Sequence, residues 1–329
     1  MIGNRLRGAM IGAVVATAVA AMSETASAQT QLKVIVFPGL SNLAQFAAQT
    51  QGYYAKRGLA VELINTPNST ELREGLAAGR YHIAHGGVDN AVAQVETANV
   101  DLFIFMGGNN GFNHLFVQPE TRSYDDLRGK VMAVDAPDTA FALLMYKMLD
   151  LKGIKRDQYE VKPVGASFLR YQAMAKDKTY AASMLNPPFS MQAQKSGLKD
   201  FGSAVAVIGP YQSDGGWVLR RWGQANSDAL VRYIQANIEG IRWALNPANR
   251  AALTAIVAER LKLPNDIAAE TVQFAADQKG FAVDGKFDLD GFRNSLKLRA
   301  DILGTWGGQP PAPDKYLDLS HYQRALAGL

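Results

Sequence analysis

Apolar and polar residues along this chain fall into alternating strand-like and helix-like stretches. Leu32 to Phe37 is a β-branched apolar run that Pro38-Gly39 ends, and helical spacing follows from Leu43 to Lys56 with Gly58 as its stop. Ala60 to Ile64 predicts a second strand, Thr70 to Ala78 a short helix closed by Gly79, and Tyr81 to Ala84 a third strand halted by Gly86-Gly87. Val88 to Ala98 predicts a helix, and Asp101 to Met106 a fourth strand that Gly107-Gly108 stops. Such βα alternation implies a parallel sheet with helices on its faces.

Near residues 109–118 the rhythm breaks. Asn113 to Gln118 is an extended run ending at Pro119, and a second βα series begins. It comprises Lys130 to Val134, a helix from about Ala140 to Leu151, Glu160 to Val164, Phe168 to Lys176, Tyr180 to Leu185, Phe189 to Ser196 and Val205 to Ile208. Another extended piece, Gly216 to Arg221, follows Tyr211. Beyond it the pattern is helical: Asp228 to Leu245, Pro247 to Leu261, Asp266 to Lys279 and Leu289 to Gly304, then a polar, proline-bearing tail. The expected fold is α/β, with two lobes joined by two crossover strands. Residues 29–114 begin the first lobe, 115–212 form the second, and 213–329 return to the first. In open α/β sheets ligands bind beyond the carboxyl ends of the strands, so the expected site is the cleft between the lobes.

The first 28 residues read as an address. Arg5 and Arg7 form a positive start, Ala9 to Met22 is apolar, and Ala26-Ser27-Ala28 offers the small-x-small pattern of a cleavage site. The competing reading, a membrane anchor, needs about 20 apolar residues, and Ser23, Glu24 and Thr25 interrupt this run early. A secretory signal cleaved after Ala28 places the mature chain in the periplasm. It leaves about 300 residues, more than one hydrophobic core usually serves. The chain has no Cys, which excludes thiol nucleophiles and Cys-ligated metals. Net charge is +4 without a basic cluster, so nucleic acid is not an expected partner.

Four segments together resemble a known family. They are Gln51-Gly52-Tyr53-Tyr54-Ala55-Lys56-Arg57-Gly58-Leu59-Ala60-Val61-Glu62, Glu74 to Ala84, Tyr124 to Val134, and Asn186-Pro187-Pro188. In order and spacing they are similar to the nitrate, sulfonate, taurine and thiamine-precursor binding proteins of ABC importers. The resemblance covers nearly the whole mature chain. It implies a periplasmic binding protein type II fold with two mixed sheets flanked by helices. It also implies a monomer that binds a small molecule, no cofactor, and a permease and ATPase in the inner membrane as partners. His82 stands where the family usually has Asp, and Asn186 where Glu is common. A sensor module of the same fold, serving a receptor kinase, is the alternative. A pyrimidine-precursor enzyme is a weaker one, because the catalytic relatives use Cys.

Five strand-to-helix loops are readable: Gly39 to Asn42, Gly86 to Asn90, Gly107 to Asn113, Asp135 to Thr139, and Asn186 to Phe189. Several open helices, whose free N–H groups can hold an anion. They contain no Lys or Arg; the nearest cation is Arg170, just after Ser167 and Phe168. That census points toward a zwitterion, an amine-bearing heterocycle or another weakly charged ligand rather than a dianion. The candidate ligand-binding residues are Ser41, Asn42, Gly87, Asp89, Asn90, Asn110, Asp135, Asp138, Thr139, Arg170, Asn186, Phe189 and Trp217. Against this, Asp89 and Asp138 suit helix caps, loop Asn residues (Asn113 among them) are common turn formers, and Phe112, Phe141, Phe189, Tyr211 or Trp217 could each be core. Trp217 is the favoured stacking residue, because it follows Gly215-Gly216 beside a crossover. His82 and His85 face opposite sides of a strand, and with His114 and His321 isolated, no metal site is expected. No nucleophile elbow, phosphate loop or zinc-protease motif appears, so the chain reads as a binding protein rather than an enzyme.

Overall fold

A computed structural model of the protein describes residues 29–278 and 280–329; the signal reading of residues 1–28 lies outside them. Two five-stranded mixed sheets form, one per lobe. The first contains β1 (Thr30–Val36), β2 (Leu59–Asn65), β3 (Ile83–Gly87) and β4 (Leu102–Asn109). The second contains β5 (His114–Val117), β6 (Val131–Val134), β7 (Glu160–Pro163), β8 (Tyr180–Leu185) and β9 (Lys199–Ser203). The chain then returns to the first sheet as β10 (Asp214–Leu219). Strand orders are β2-β1-β3-β10-β4 and β7-β6-β8-β5-β9.

β5 and β10 are the antiparallel members, each inserted between two strands of opposite direction. The reason is topological. The other strands end at the cleft, whereas β5 and β10 enter their sheets from it and run away. The two extended segments read as crossovers are therefore sheet strands. The actual crossings are the short pieces 110–113 and 209–213.

Other departures have local causes. The apolar run Val205 to Ile208 is a helix (Ala204–Ile208), and the strand precedes it in the polar Lys199–Ser203, whose edge position leaves it largely uncovered. The helical spacing from Leu43 to Lys56 is broken into Leu43–Thr50 and Tyr53–Lys56. The tail contains a helix, Ser320–Ala327, whose Tyr322 and Ala325 join the first lobe's core.

Both faces of the first sheet are covered, so its central strands are apolar on both sides. Leu32, Val34, Val36, Phe103 and Phe105 pack on Leu230, Tyr233 and Ile234 of the helix Ser227–Leu245. Ile35, Ala84, Ile104 and Trp217 pack on Leu72, Leu76, Val88 and Val92. A Cβ on Gly216 would lie 2.5 Å from the Phe105 ring and 2.7 Å from the His85 ring, so only glycine lets these two rings meet beneath β10. The second lobe centres on Leu115, Val117, Met132, Val134 and Met184 against the helix Ala140–Leu151.

One helix belongs to both lobes. Leu289–Leu303 packs Phe292 and Leu296 into the first lobe, while Leu298 and Ile302 pack into the second. Its Asn294 amide donates to the Ile208 and Pro210 carbonyls, and its Ser295 hydroxyl to the Gln212 carbonyl, so it also braces the return crossing. Arg299 is buried and donates twice to Asp89, at 2.6 and 2.7 Å, and once to the Asp138 carbonyl of the second lobe at 2.9 Å. Removing one partner of a buried pair strands the other charge, at a cost of about 3–5 kcal/mol. Arg299→Ala is accordingly expected to lose about that much unfolding free energy in urea titrations. A loss within the usual surface range, below about 0.5 kcal/mol, would contradict the role given to this pair.

Candidate functional site

The carboxyl ends of strands from both sheets converge on one cavity, in which about 70 Å³ is open to the centre of a water molecule. A single water needs about 10–15 Å³ by that measure, so the space suits a small organic molecule. The first lobe contributes Phe37 to Gly39, Ser41, Asn42, Gln45, His85 to Gly87, Asn90 and Asp214; the second contributes Asp135, Thr139 to Phe141, Ala166, Ser167, Arg170 and Asn186. Among the described residues five helices of eight residues or more begin at this wall, three in the first lobe and two in the second: Leu43–Thr50, Ser69–Ala77, Asp89–Ala98, Ala140–Leu151 and Ser167–Lys176. Their amino ends place partial positive charge around the cavity.

The lobes touch across the cleft. Asp135, after β6, accepts hydrogen bonds from the backbone N–H of Ser69 at 3.0 Å and from its hydroxyl, at the start of the first-lobe helix Ser69–Ala77. Arg73, on the same helix, pairs with Asp138 at 3.0 Å. The Ala166 N–H donates to the Pro67 carbonyl at 2.8 Å, and the Leu40 N–H to the Pro187 carbonyl at 3.1 Å. A Cβ built on Gly87 would stand 3.3 Å from the Ala140 Cβ of the opposite lobe, so closure relies on this position lacking a side chain. The conformation is closed.

Eight of the residues singled out from the sequence line the cavity: Ser41, Asn42, Gly87, Asn90, Asp135, Thr139, Arg170 and Asn186. The other five are placed elsewhere. Trp217 is wholly buried in the first lobe, its indole N–H donating to Gln94 at 3.0 Å; β-strand alternation turns it away from the cleft. Phe189 packs against Phe168 and lies off the wall. Asp89 and Asp138 neither cap helices nor face the cavity, because Arg299 and Arg73 take their carboxylates. Asn110 is exposed, with its backbone N–H on the Gly280 carbonyl. Of the aromatic alternatives, Phe141 lines the cavity, whereas Tyr211 lies in the core and Phe112 stacks among Phe274 and Phe281.

Six polar residues on the wall are absent from the candidates read from the sequence: Gln45, Ser69, His85, Ser167, Asp214 and Asn237. Gln45, His85 and Asn237 sit within regular elements, where sequence spacing resembles core. Asp214 opens β10 directly before Gly215-Gly216, the same glycine signal that drew attention to Trp217. Asp214 accepts from the Asn109 amide at 2.8 Å and takes a further hydrogen bond from Ser41. His82 lies at the other end of β3: its Nδ1 accepts from the Lys33 N–H and its ring stacks on Trp222, so this departure from the family pattern is remote from the cavity. Asn186 is on the wall, and its Oδ1 has no protein partner.

Arg170 is buried, and its donors go to the hydroxyls of Ser183 and Ser167 and the carbonyls of Gly165 and Met184. Burial pulls its pKa down to about 10, against the opposing field of Asp135.

This architecture is that of the periplasmic binding proteins. A solved structure from Bordetella bronchiseptica superposes with a TM-score of 0.80 at 16% identity, covering 91% of this chain and 98% of that one. The periplasmic nitrate-binding protein of Synechocystis superposes with a TM-score of 0.76 at 14% identity, covering 92% and 89%. A protein of Brachyspira hyodysenteriae, named as an ABC transporter periplasmic binding protein, is 26% identical over 249 residues, 70% of each chain. The family model described as NMT1/THI5 like matches residues 42–251, and the chain belongs to this family.

His85 permits a pH test. It is wholly enclosed, its Nδ1 lies 3.2 Å from the Gln45 amide nitrogen, and burial drives its pKa from 6.5 down to about 3. The folded ring stays neutral while the unfolded one takes a proton near pH 6.5. Its contribution to stability is therefore complete above pH 6.5 and falls as pH drops toward about 3, by up to about 1.4 kcal/mol per unit. Urea titrations at pH 7.5, 5.5 and 4.5 should show His85→Gln losing less stability on acidification than the wild type. Parallel losses in the two proteins would contradict this.

Proposed function

We propose that the protein is the solute-binding component of an ABC importer. It would capture a small polar organic molecule or anion of the sulfonate, taurine, nitrate or thiamine-precursor class in the periplasm and deliver it to a membrane permease. The observation that carries this reading is the cavity at which strand ends of both sheets converge, flanked by contacts between the lobes. Ligand binds the closed state better than the open one, and that difference drives closure. Among the described residues no helix is long and apolar enough to cross a membrane. The family's binding proteins and the cavity's hydrogen-bonding wall both favour capture over chemistry.

Calorimetry and small-angle scattering on the chain from Gln29 onward, with a panel drawn from those classes, test the reading. A binding ligand should reduce the radius of gyration. Gly87→Val should abolish that compaction while leaving the unfolding midpoint within a few degrees of wild type, because the added methyls meet Ala140 only when the lobes close. Compaction by the variant equal to that of wild type would refute closure across this contact.

A further inference from the structure

Among the described residues three charged side chains line the cavity, and none of them has an ion-pair partner, although Arg170 feels the field of Asp135. Asp135, in the second lobe, is held by the Ser69 N–H and hydroxyl. Arg170, also in the second lobe, forms no ion pair with a carboxylate among the described residues and rests on four neutral oxygens. A guanidinium has five N–H groups, so one donor on Nη1 stays unused. Asp214, in the first lobe, has no cation and no backbone N–H on its carboxylate among the described residues; only the Asn109 amide and the Ser41 hydroxyl support it. The contrast with Asp89 and Asp138 is direct, since each of those has an arginine.

A buried charge without an opposite charge costs free energy that a ligand can return. One ligand can satisfy both walls only if it carries both signs. Its acid end would meet Arg170 and the amino ends of Ser167–Lys176 and Ala140–Leu151. Its positive end would meet Asp214. Formally, Asp135, Arg170 and Asp214 sum to one negative charge, which disfavours a bare anion. Of the partnerless polar atoms on wall residues, Gln45 Oε1, Asn90 Oδ1 and Asn186 Oδ1 are acceptors and call for N–H donors on the ligand, while His85 Nε2 carries the ring N–H when Nδ1 accepts from the Gln45 amide. Burial raises the Asp214 pKa, and its two neutral donors only partly offset that, as expected of a carboxylate that lacks a cation.

We propose that the ligand is a small zwitterion, with a protonated amine seated on Asp214 and an acid group on the Arg170 side of the cavity. This rests on the solute-binding reading above and narrows it. Calorimetry on the chain from Gln29 onward would compare three series of two to six carbons: ω-amino sulfonates and ω-amino acids, the same acids without the amine, and the same amines without the acid. At least one zwitterion should bind tenfold or more tightly than both of its single-charge counterparts. In Asp214→Asn, shown to be folded by its thermal transition, that advantage should shrink below threefold. If amine-free acids bind as tightly as the zwitterions at every length, the zwitterion assignment is overturned while solute binding stands. If no series binds, native mass spectrometry of protein purified gently from its host decides. A retained molecule bearing both charges supports the assignment, and one bearing only an acid overturns it. No retained molecule removes the solute-binding reading and this inference with it.

Discussion

Arg299 is the point at which three parts of the chain meet: its own helix near the C-terminus, Asp89 at the first lobe's cleft edge, and the Asp138 carbonyl in the second lobe. Its burial means that none of these can shift alone without leaving a charge or a carbonyl unsatisfied in a low-dielectric setting. The geometry of the cavity follows from that restraint. Asp89 is fixed one residue before Asn90 on the wall, and the loop carrying Asp138 is fixed beside Asp135 and Thr139. The pair's net worth is smaller than its rigidity suggests, since both ions gave up hydration to form it; what it secures is position.

A second layer of restraint acts between the lobes. Asp135 on Ser69, Arg73 on Asp138 and two backbone hydrogen bonds are each modest. A partly exposed pair such as Arg73–Asp138 is worth at most about 1 kcal/mol. Contacts this weak would let the lobes reopen, and under the capture reading proposed above the balance between open and closed states would fall to whatever occupies the cavity.

Much of the fold was legible because period and punctuation agreed. The helix Ala140–Leu151 and the strand Tyr180–Leu185 have the bounds their apolar patterns indicated. The glycine and asparagine loops at strand ends reach the cavity because a parallel sheet leaves them nowhere else to go. What was not legible depended on distant partners. Nothing near Asp89 in sequence reveals Arg299, 210 residues away, and nothing near Trp217 reveals Gln94. Lys199–Ser203 was invisible as a strand because its exposed edge asks for no apolar face. Asp214 and Trp217 flank the same Gly215-Gly216 pair, and local sequence does not say which of the two meets the cavity.

The helix Leu289–Leu303 and strand β10 carry a consequence for biogenesis. β10 is an inner strand of the first sheet, yet it is made after the whole second lobe. A chain emerging from its N-terminus therefore holds β3 and β4 apart, with unpaired edges, until residue 219 has appeared, and the brace behind the return crossing comes some 80 residues later still. The second lobe, being continuous in sequence, can assemble first. The first lobe must wait with apolar strands exposed, and that waiting interval is when this molecule is most open to aggregation and to chaperones.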